Sequence, residues 1–291
     1  MFPNFILHKQ GNAVIWVDRK FANKKFIEQL ADADRMFAEP ESEIIKDQRK
    51  IKVSRINLRV AGAFHSLYVK RYNAFSLRYK IISPLMRSGA FRALAGAAIL
   101  RAAEIPIATP VAAVENRHRG ALAKSFFLSE EIVGGKTADA HWRDELKSLP
   151  VQEGFSLRRR FLAELAGLFA ALHEQQIYHN DLKDANILAL ADRATRVVRF
   201  FLLDLEGVRR YTKLSGARRV KNLVQLNRTF GRYLRRVEKL FFVKTYLGAN
   251  FTERQGKREL IESVLSESKR LDAVKARQAR SYGLGIDGSH E

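Results

Sequence analysis

The stretch Tyr178-His179-Asn180-Asp181-Leu182-Lys183-Asp184-Ala185-Asn186-Ile187-Leu188, with the later Phe201-Leu202-Leu203-Asp204-Leu205-Glu206-Gly207, decides how the rest of the chain is read. An Asp in a loop behind a helix, a Lys two positions on and an Asn five positions after that Asp put a proton acceptor, a cation and an oxygen ligand in one compact turn. A second Asp closes an apolar strand eighteen positions beyond Asn186, where a hairpin can return it to that Asn. Asn and Asp oxygens suit a hard ion such as Mg²⁺, which keeps several waters and binds through few protein ligands plus substrate phosphates.

Working outward, a helix is expected before this loop: from Ser156 onward Phe161, Leu165, Leu168, Phe169 and Leu172 recur three or four apart. Ile187 to Leu190 and Val197 to Leu203 read as a small hairpin turning at Ala191-Asp192-Arg193. Upstream, residues 12 to 17 and 51 to 60 alternate apolar and polar positions. Ser66 to Tyr72 continues the pattern after a turn at Gly62, which predicts an antiparallel hairpin ending near Lys70. Ser88 to Ala103, rich in Ala and Leu, predicts a helix that stops before the extended Ile105-Pro106-Ile107-Ala108-Thr109-Pro110. Lys124 to Val133 reads as a further strand, Gly134-Gly135 as a flexible linker, and residues 217 to 276 as helical and basic.

The composition bounds the answer. A chain of 291 residues, 46% apolar and 29% charged, can bury a real core and is neither a disordered tail nor a miniprotein. It has no cysteine, which excludes disulfides, thiolate catalysis and Cys-type zinc sites, and fits a reducing cytoplasm. Met1 to Trp16 breaks its apolar patch with His8, Lys9 and Gln10, unlike a signal peptide. Leu94 to Val114 holds Arg101, Glu104, Pro106 and Pro110 and is no spanning helix. With 52 Lys and Arg against 31 Asp and Glu, the net charge of +21 calls for a polyanionic partner: nucleic acid, an anionic membrane face or a phosphorylated substrate.

The pattern H-x-D-x-K-x-x-N-I-L with a later L-L-D resembles the catalytic loop and metal-binding Asp of the protein-kinase-like fold. More narrowly, the chain resembles the lipopolysaccharide kinase family, which acts on Kdo and heptose. The segments that carry this likeness are Ile45-Lys46-Asp47-Gln48-Arg49-Lys50, Tyr68-Val69-Lys70-Arg71-Tyr72, the Pro-bounded 105–110 stretch, Leu203-Asp204-Leu205-Glu206 and Lys221-Asn222-Leu223-Val224-Gln225-Leu226-Asn227-Arg228. The resemblance covers roughly residues 43 to 248. It implies that Asp181 orients or deprotonates the acceptor hydroxyl, Lys183 steadies the transferring phosphoryl group, Asn186 and Asp204 hold Mg²⁺, and Lys70 pairs with the α/β-phosphates of ATP.

Two departures from that pattern stand out. The helix expected over 88–103 contains no acid to partner Lys70, so either Glu104 or an acid from elsewhere must serve. A Gly-rich nucleotide loop is missing, and Lys46, Arg49, Lys50, Lys52 and Arg55 are offered in its place. Among the remaining candidates, His179 reads as a scaffold residue of the turn and His173 as core or boundary. Asp184 reads as a turn-stabilising carboxylate, and Glu206, Glu130 and Glu131 as solvated acids.

The fold expected is α+β and two-lobed: a mostly antiparallel sheet with one helix, joined to a mainly helical lobe. Its segments are an N-terminal extension (1–43), a nucleotide-binding N-lobe (44–134), a C-lobe with the catalytic loop and basic helices (135–276) and a flexible tail (277–291). From Arg209 to Lys244 twelve bases meet one acid, Glu238, a density that suits an anionic bilayer face. The interleaved aromatics Phe230, Tyr233, Phe241, Phe242 and Tyr246 read as core at helical spacing rather than as a base-stacking platform, and no nucleic acid is expected. The activity implied is ATP- and Mg²⁺-dependent phosphorylation of a sugar hydroxyl of the lipopolysaccharide core or a lipid A precursor. The place implied is the cytoplasm, peripheral on the inner face of a bacterial inner membrane. The rival expectations are a kinase acting on a protein or another small molecule, and a catalytically silent basic module that binds membrane or nucleic acid.

Overall fold

The computed structural model describes residues 2–60, 62–73, 86–192 and 194–283, and the chain divides into two compact units. Unit 1 comprises Met1–Gly134 with Phe201–Arg209; unit 2 comprises Gly135–Phe200 with Arg210–Glu291.

Unit 1 is built on a seven-stranded sheet of β1 (Phe5–Gln10), β2 (Ala13–Asp18), β3 (Glu43–Asp47), β4 (Ile51–Val60), β5 (Ala63–Asn73), β6 (Pro110–His118) and β7 (Ala121–Glu130). Its order is β1-β2-β6-β7-β5-β4-β3, with antiparallel neighbours. The period-2 pattern works as read. Ile56, Leu58 and Val60 turn inward from β4, and Leu67 and Val69 from β5, each alternating with more exposed neighbours. Helix α1 (Lys24–Ala31), capped by the Asn23 side chain, presses Phe26 and Leu30 onto this face with Ile15, Val17 and Phe126. On a second cluster the helix α2 (Gly89–Ala102) sets Ala90, Ala93 and Leu94 against Ala113, Phe127 and Trp16. Ser88 caps α2 by accepting the amide of Phe91, and the Glu115 carboxylate accepts the amide of Ser88.

The first 43 residues are not an extension. Strand β2 pairs along β6, matching Ala13 to Asn116 through Val17 to Ala112, and β1 pairs along β2. The reason is burial: Ile15 and Val17 are fully enclosed and complete the core that Val111, Ala112 and Val114 would otherwise expose.

In unit 2 the short strand β8 (Lys136–Thr137) leads to a helical turn at 138–146 and to α3 (Val151–Glu174). The helix α3 begins five residues before Ser156, immediately after Pro150, which fixes its entry. It delivers the chain to β9 (Ile177–His179) and the loop after it. Strands β10 (Ile187–Ala191) and β11 (Val198–Leu202) form the expected hairpin, with β8 as its third member. Of its turn, Arg193 lies outside the described residues. The basic segment forms α4 (Gly216–Thr229), α5 (Arg236–Leu247) and α6 (Arg254–Gly283). The last helix runs seven residues past the end expected at 276; residues 284–291 of the expected tail lie outside the described residues. Phe230 and Phe242 are buried against Phe161, Trp142 and Phe169, as core rather than as a stacking surface. Among the described residues no helix is long and apolar enough to cross a membrane.

If β1 and β2 are integral to the sheet, Ile15→Ala leaves a cavity at a fully buried position. It should cost about 2–5 kcal/mol in chemical denaturation of the full chain, whereas an N-terminal appendage would show no shift.

Candidate active site

In unit 2 the loop after β9 is pinned from three directions before its functional side chains are placed. His179 is wholly buried; its Nδ1 accepts the amide of Asp181 at 3.2 Å, and its carbonyl accepts the Asn222 side-chain amide at 2.6 Å. Gln225, one helical turn further along α4, accepts the amide of Leu182 at 3.0 Å and donates to the carbonyl of Asn180 at 2.6 Å. His179 therefore shapes the turn, as read, and its ring is an acceptor held by the backbone. Asp184 is also buried: its Oδ1 accepts the amide of Ala185, and its own amide donates to the Thr229 hydroxyl. Burial pushes its carboxyl above the usual range, while the Ala185 and Thr229 hydrogen bonds pull the other way.

That scaffold presents Asp181, Lys183 and Asn186 together. The Lys183 ammonium sits 2.6 Å from Asp181 Oδ2, and the Asn186 amide donates to the Asp181 carbonyl at 2.7 Å and to Oδ2 at 3.0 Å. The Asp181 and Lys183 side chains are both about two-fifths exposed, so the carboxylate is ordered yet reachable. With its nitrogen committed to Asp181, Asn186 keeps the carbonyl oxygen Oδ1 as the atom suited to a cation.

Unit 1 carries the other residues. The Lys70 ammonium, on β5, lies 2.6 Å from Asp204 Oδ1 and 5.0 Å from the centre of the Tyr72 ring. Of the two partners left open by the sequence, the acid comes from elsewhere: it is Asp204, the residue expected to hold metal, while Glu104 closes off α2 with a φ of +56°. The helix meets the same segment with the opposite charge. Arg92 of α2 reaches Glu206 at 3.0 Å, so Glu206 is a half-buried ion-pair partner rather than a solvated acid. Burial first, then the carboxylates of Glu206 and Asp204, raises the Tyr72 hydroxyl well above its ordinary value, so the ring stays a neutral floor beneath Lys70.

Two glycines make this approach possible. A Cβ on Gly89 would stand 2.6 Å from the Tyr72 ring, and a Cβ on Gly96 would collide with the carbonyl oxygen of Leu205. The backbone between Asp204 and Glu206 therefore lies directly on α2. Asp204 itself adopts a left-handed conformation, φ 56° and ψ 53°, which is uncommon for a residue with a side chain. Leu202 is fixed just before it by its amide to the carbonyl of Pro106.

Several expectations change in detail. Of the five bases offered in place of a Gly-rich loop, Lys52 pairs with Asp47 at 3.0 Å and Arg55 pairs with Glu131 at 2.9 Å. Glu131 is thus ion-paired rather than solvated, and Glu130 lies 3.2 Å from His65 Nδ1, within hydrogen-bond reach. Asn222 and Gln225 had been singled out only as part of a family-like segment. Two amide side chains one turn apart on an amphipathic helix are the signal that could have found them. Among the described residues no three His, Asp or Glu side chains cluster as a metal site. The Asn186 oxygen in unit 2 and the Asp204 carboxylate in unit 1 are each hard oxygen donors of the kind Mg²⁺ takes, and Mg²⁺ needs few protein ligands when phosphates complete its shell.

Beneath the loop, His173 joins the same network: Nδ1 meets the Tyr246 hydroxyl at 2.8 Å and Nε2 meets Asn222 Oδ1 at 3.3 Å. Burial lowers its pKa to about 4, against the pull of the Asn222 hydrogen bond. The unfolded chain then binds more protons than the folded one between about pH 6.5 and 4. Stability is therefore full above that window and falls on acidification through it, by on the order of 3 kcal/mol for this group alone. Urea denaturation across pH 7 to 4 should show that slope in the wild type and a flatter one in His173→Gln.

The sequence matches the model of the lipopolysaccharide kinase (Kdo/WaaP) family over residues 35–258. Among solved structures the chain is similar to WaaP in complex with acyl carrier protein, with a TM-score of 0.61 and 18% identity over 83% of this chain and 92% of that one. No curated protein matches. With the family model covering most of its length, this chain belongs to the lipopolysaccharide kinase (Kdo/WaaP) family and is a kinase that phosphorylates a sugar hydroxyl.

Proposed function

We propose that this kinase transfers the γ-phosphoryl group of ATP to a hydroxyl of Kdo or heptose in the lipopolysaccharide inner core, at the cytoplasmic face of the inner membrane. The observation that carries the proposal is the Asp181, Lys183 and Asn186 cluster. A carboxylate is held reachable by hydrogen bonds to its neighbours, with a cation 2.6 Å away.

In the proposed reaction Asp181 orients the acceptor hydroxyl and takes its proton as the oxygen attacks the γ-phosphorus. The new O–P bond forms as the bond to the β,γ-bridging oxygen breaks, and ADP leaves. Lys183, beside Asp181, steadies the negative charge on the group in transfer. Lys70 turns from Asp204 to the α/β-phosphates, with Tyr72 as an apolar floor that keeps the ammonium extended. Asn186 Oδ1 and the Asp204 carboxylate would hold Mg²⁺, which when bound neutralises phosphate charge. The protein's contribution is then positioning and electrostatics rather than covalent chemistry. Acceptor choice and membrane location rest on family membership and on the net charge of +21. Acyl carrier protein, the partner in the WaaP structure, is a second occupant to test against the basic surface of unit 2.

The direct assay is Mg²⁺-dependent ATP turnover with and without purified core oligosaccharide. Wild type should be stimulated by the glycan, and Asp181→Ala should lose about 10²–10⁴ in kcat. Stimulation by a protein or an unrelated small alcohol in place of the glycan overturns the acceptor. Gly96→Ala, which removes no polar group, should lower kcat by about 10²-fold by pushing the 204–206 backbone off α2. A rate within twofold of wild type would show that this close approach does not position Asp204.

A further inference from the structure

The helix α5 leaves much of its first two turns uncovered. Val237 and Leu240 are 68% and 51% exposed, and Phe155, at the start of α3, is 57% exposed. They are not scattered. Phe155 and Val237 line one cleft beside α5, and Leu240 lines an apolar cavity of about 570 Å³ on its other side, among side chains of α4 and α6. The rims are cationic. Arg159 borders the first cleft, and Arg236 and Lys239 border the second. Among the described residues the one acid lining either is Glu238, which Arg235 engages at 2.9 Å. An apolar ridge inside a collar of bases is costly to leave in water and matches the headgroup region of an anionic bilayer, where apolar tips sink below the phosphates and Arg and Lys meet them.

We infer that the ridge formed by Phe155, Val237 and Leu240 is the membrane-docking face of this kinase, seated on an anionic phospholipid leaflet. The inference rests on the proposed acceptor for its purpose. A lipid-anchored sugar stays at the bilayer, and a docking face holds the kinase at the same surface. Charge complementarity selects a leaflet with anionic lipid over a neutral one.

The test is co-sedimentation of the full chain with vesicles of phosphatidylcholine alone or with roughly one third phosphatidylglycerol. Wild type should bind the anionic vesicles, more weakly as salt rises. Val237→Asp with Leu240→Asp should weaken binding at least about tenfold. Arg159→Ala with Arg236→Ala should weaken it roughly thirtyfold and flatten the salt dependence. Circular dichroism and ATP turnover on delipidated core oligosaccharide, unchanged in both variants, place the loss at docking. Vesicle binding that survives both double substitutions overturns the assignment, and so does capture of acyl carrier protein by this face without vesicle binding. Wild type that docks but phosphorylates no glycan removes the proposed acceptor and supports the docking face on its own.

Discussion

A buried amide holds the loop after β9 in place. Asn222, with no solvent exposure, donates to the carbonyl of His179 and to Gln225, and accepts at Oδ1 from the direction of His173. A polar side chain at that depth is tolerated only when its hydrogen bonds are made, and each partner is itself fixed: His173 by Tyr246, His179 by the amide of Asp181, Gln225 by Leu182 and Asn180. The loop geometry is thus set by α3 and α4 through a network that fails as a unit. Asp181, Lys183 and Asn186 inherit their positions from it. This is why the residues that touch no substrate in the proposed reaction are the most buried polar groups of unit 2.

Unit 1 solves a different problem with charge. A helix without acids cannot hold the strand lysine by the usual ion pair, and here the signs are redistributed. The acid comes from the segment after β11, and the helix supplies a base. Lys70 to Asp204 and Arg92 to Glu206 are two cation–carboxylate pairs that converge on three consecutive residues. Both pairs are partly exposed, so neither is a large source of stability by itself. What they fix is register, together with the contact at Gly96 that only a missing Cβ permits. At this point Asp204 takes a left-handed backbone conformation.

Local periodicity made much of this legible. The β4–β5 hairpin, the α2 helix, the apolar stripe of α3 and the loop residues at 181, 183 and 186 all carry signals within ten or twenty positions. The misses are non-local. Strand β1 has no clean alternation because it is an edge strand, and β2 completes the sheet against β6, about a hundred residues on, a pairing with no trace in either segment alone. Lys70 and Asp204 are 134 positions apart. The role of Gly96 depends on the Leu205 carbonyl, brought to it from more than a hundred positions away. Glu130, Glu131 and Glu206 read as surface acids because each looks solvated until its basic partner is brought in by another element.

The basic run from 209 to 244 shows how a charge count divides once folded. Twelve bases with one acid would repel as a uniform surface, yet many are spent internally. Arg219 donates to the carbonyl of His173, Arg228 reaches Asp272 on α6, Arg218 lies over the Tyr211 ring, Lys221 lies over Tyr178 and Lys239 meets Asn227. These contacts tie the helices of unit 2 together and cover ring faces that would otherwise be bare. The run is therefore partly scaffold. What distinguishes its central portion is the company it keeps: at the start of α5, where Glu238 is held by Arg235, Arg236 and Lys239 stand beside exposed Val237 and Leu240. Net charge favours polyanions in general, and on the docking face inferred above the exposed apolar side chains would select a surface with hydrocarbon beneath its phosphates.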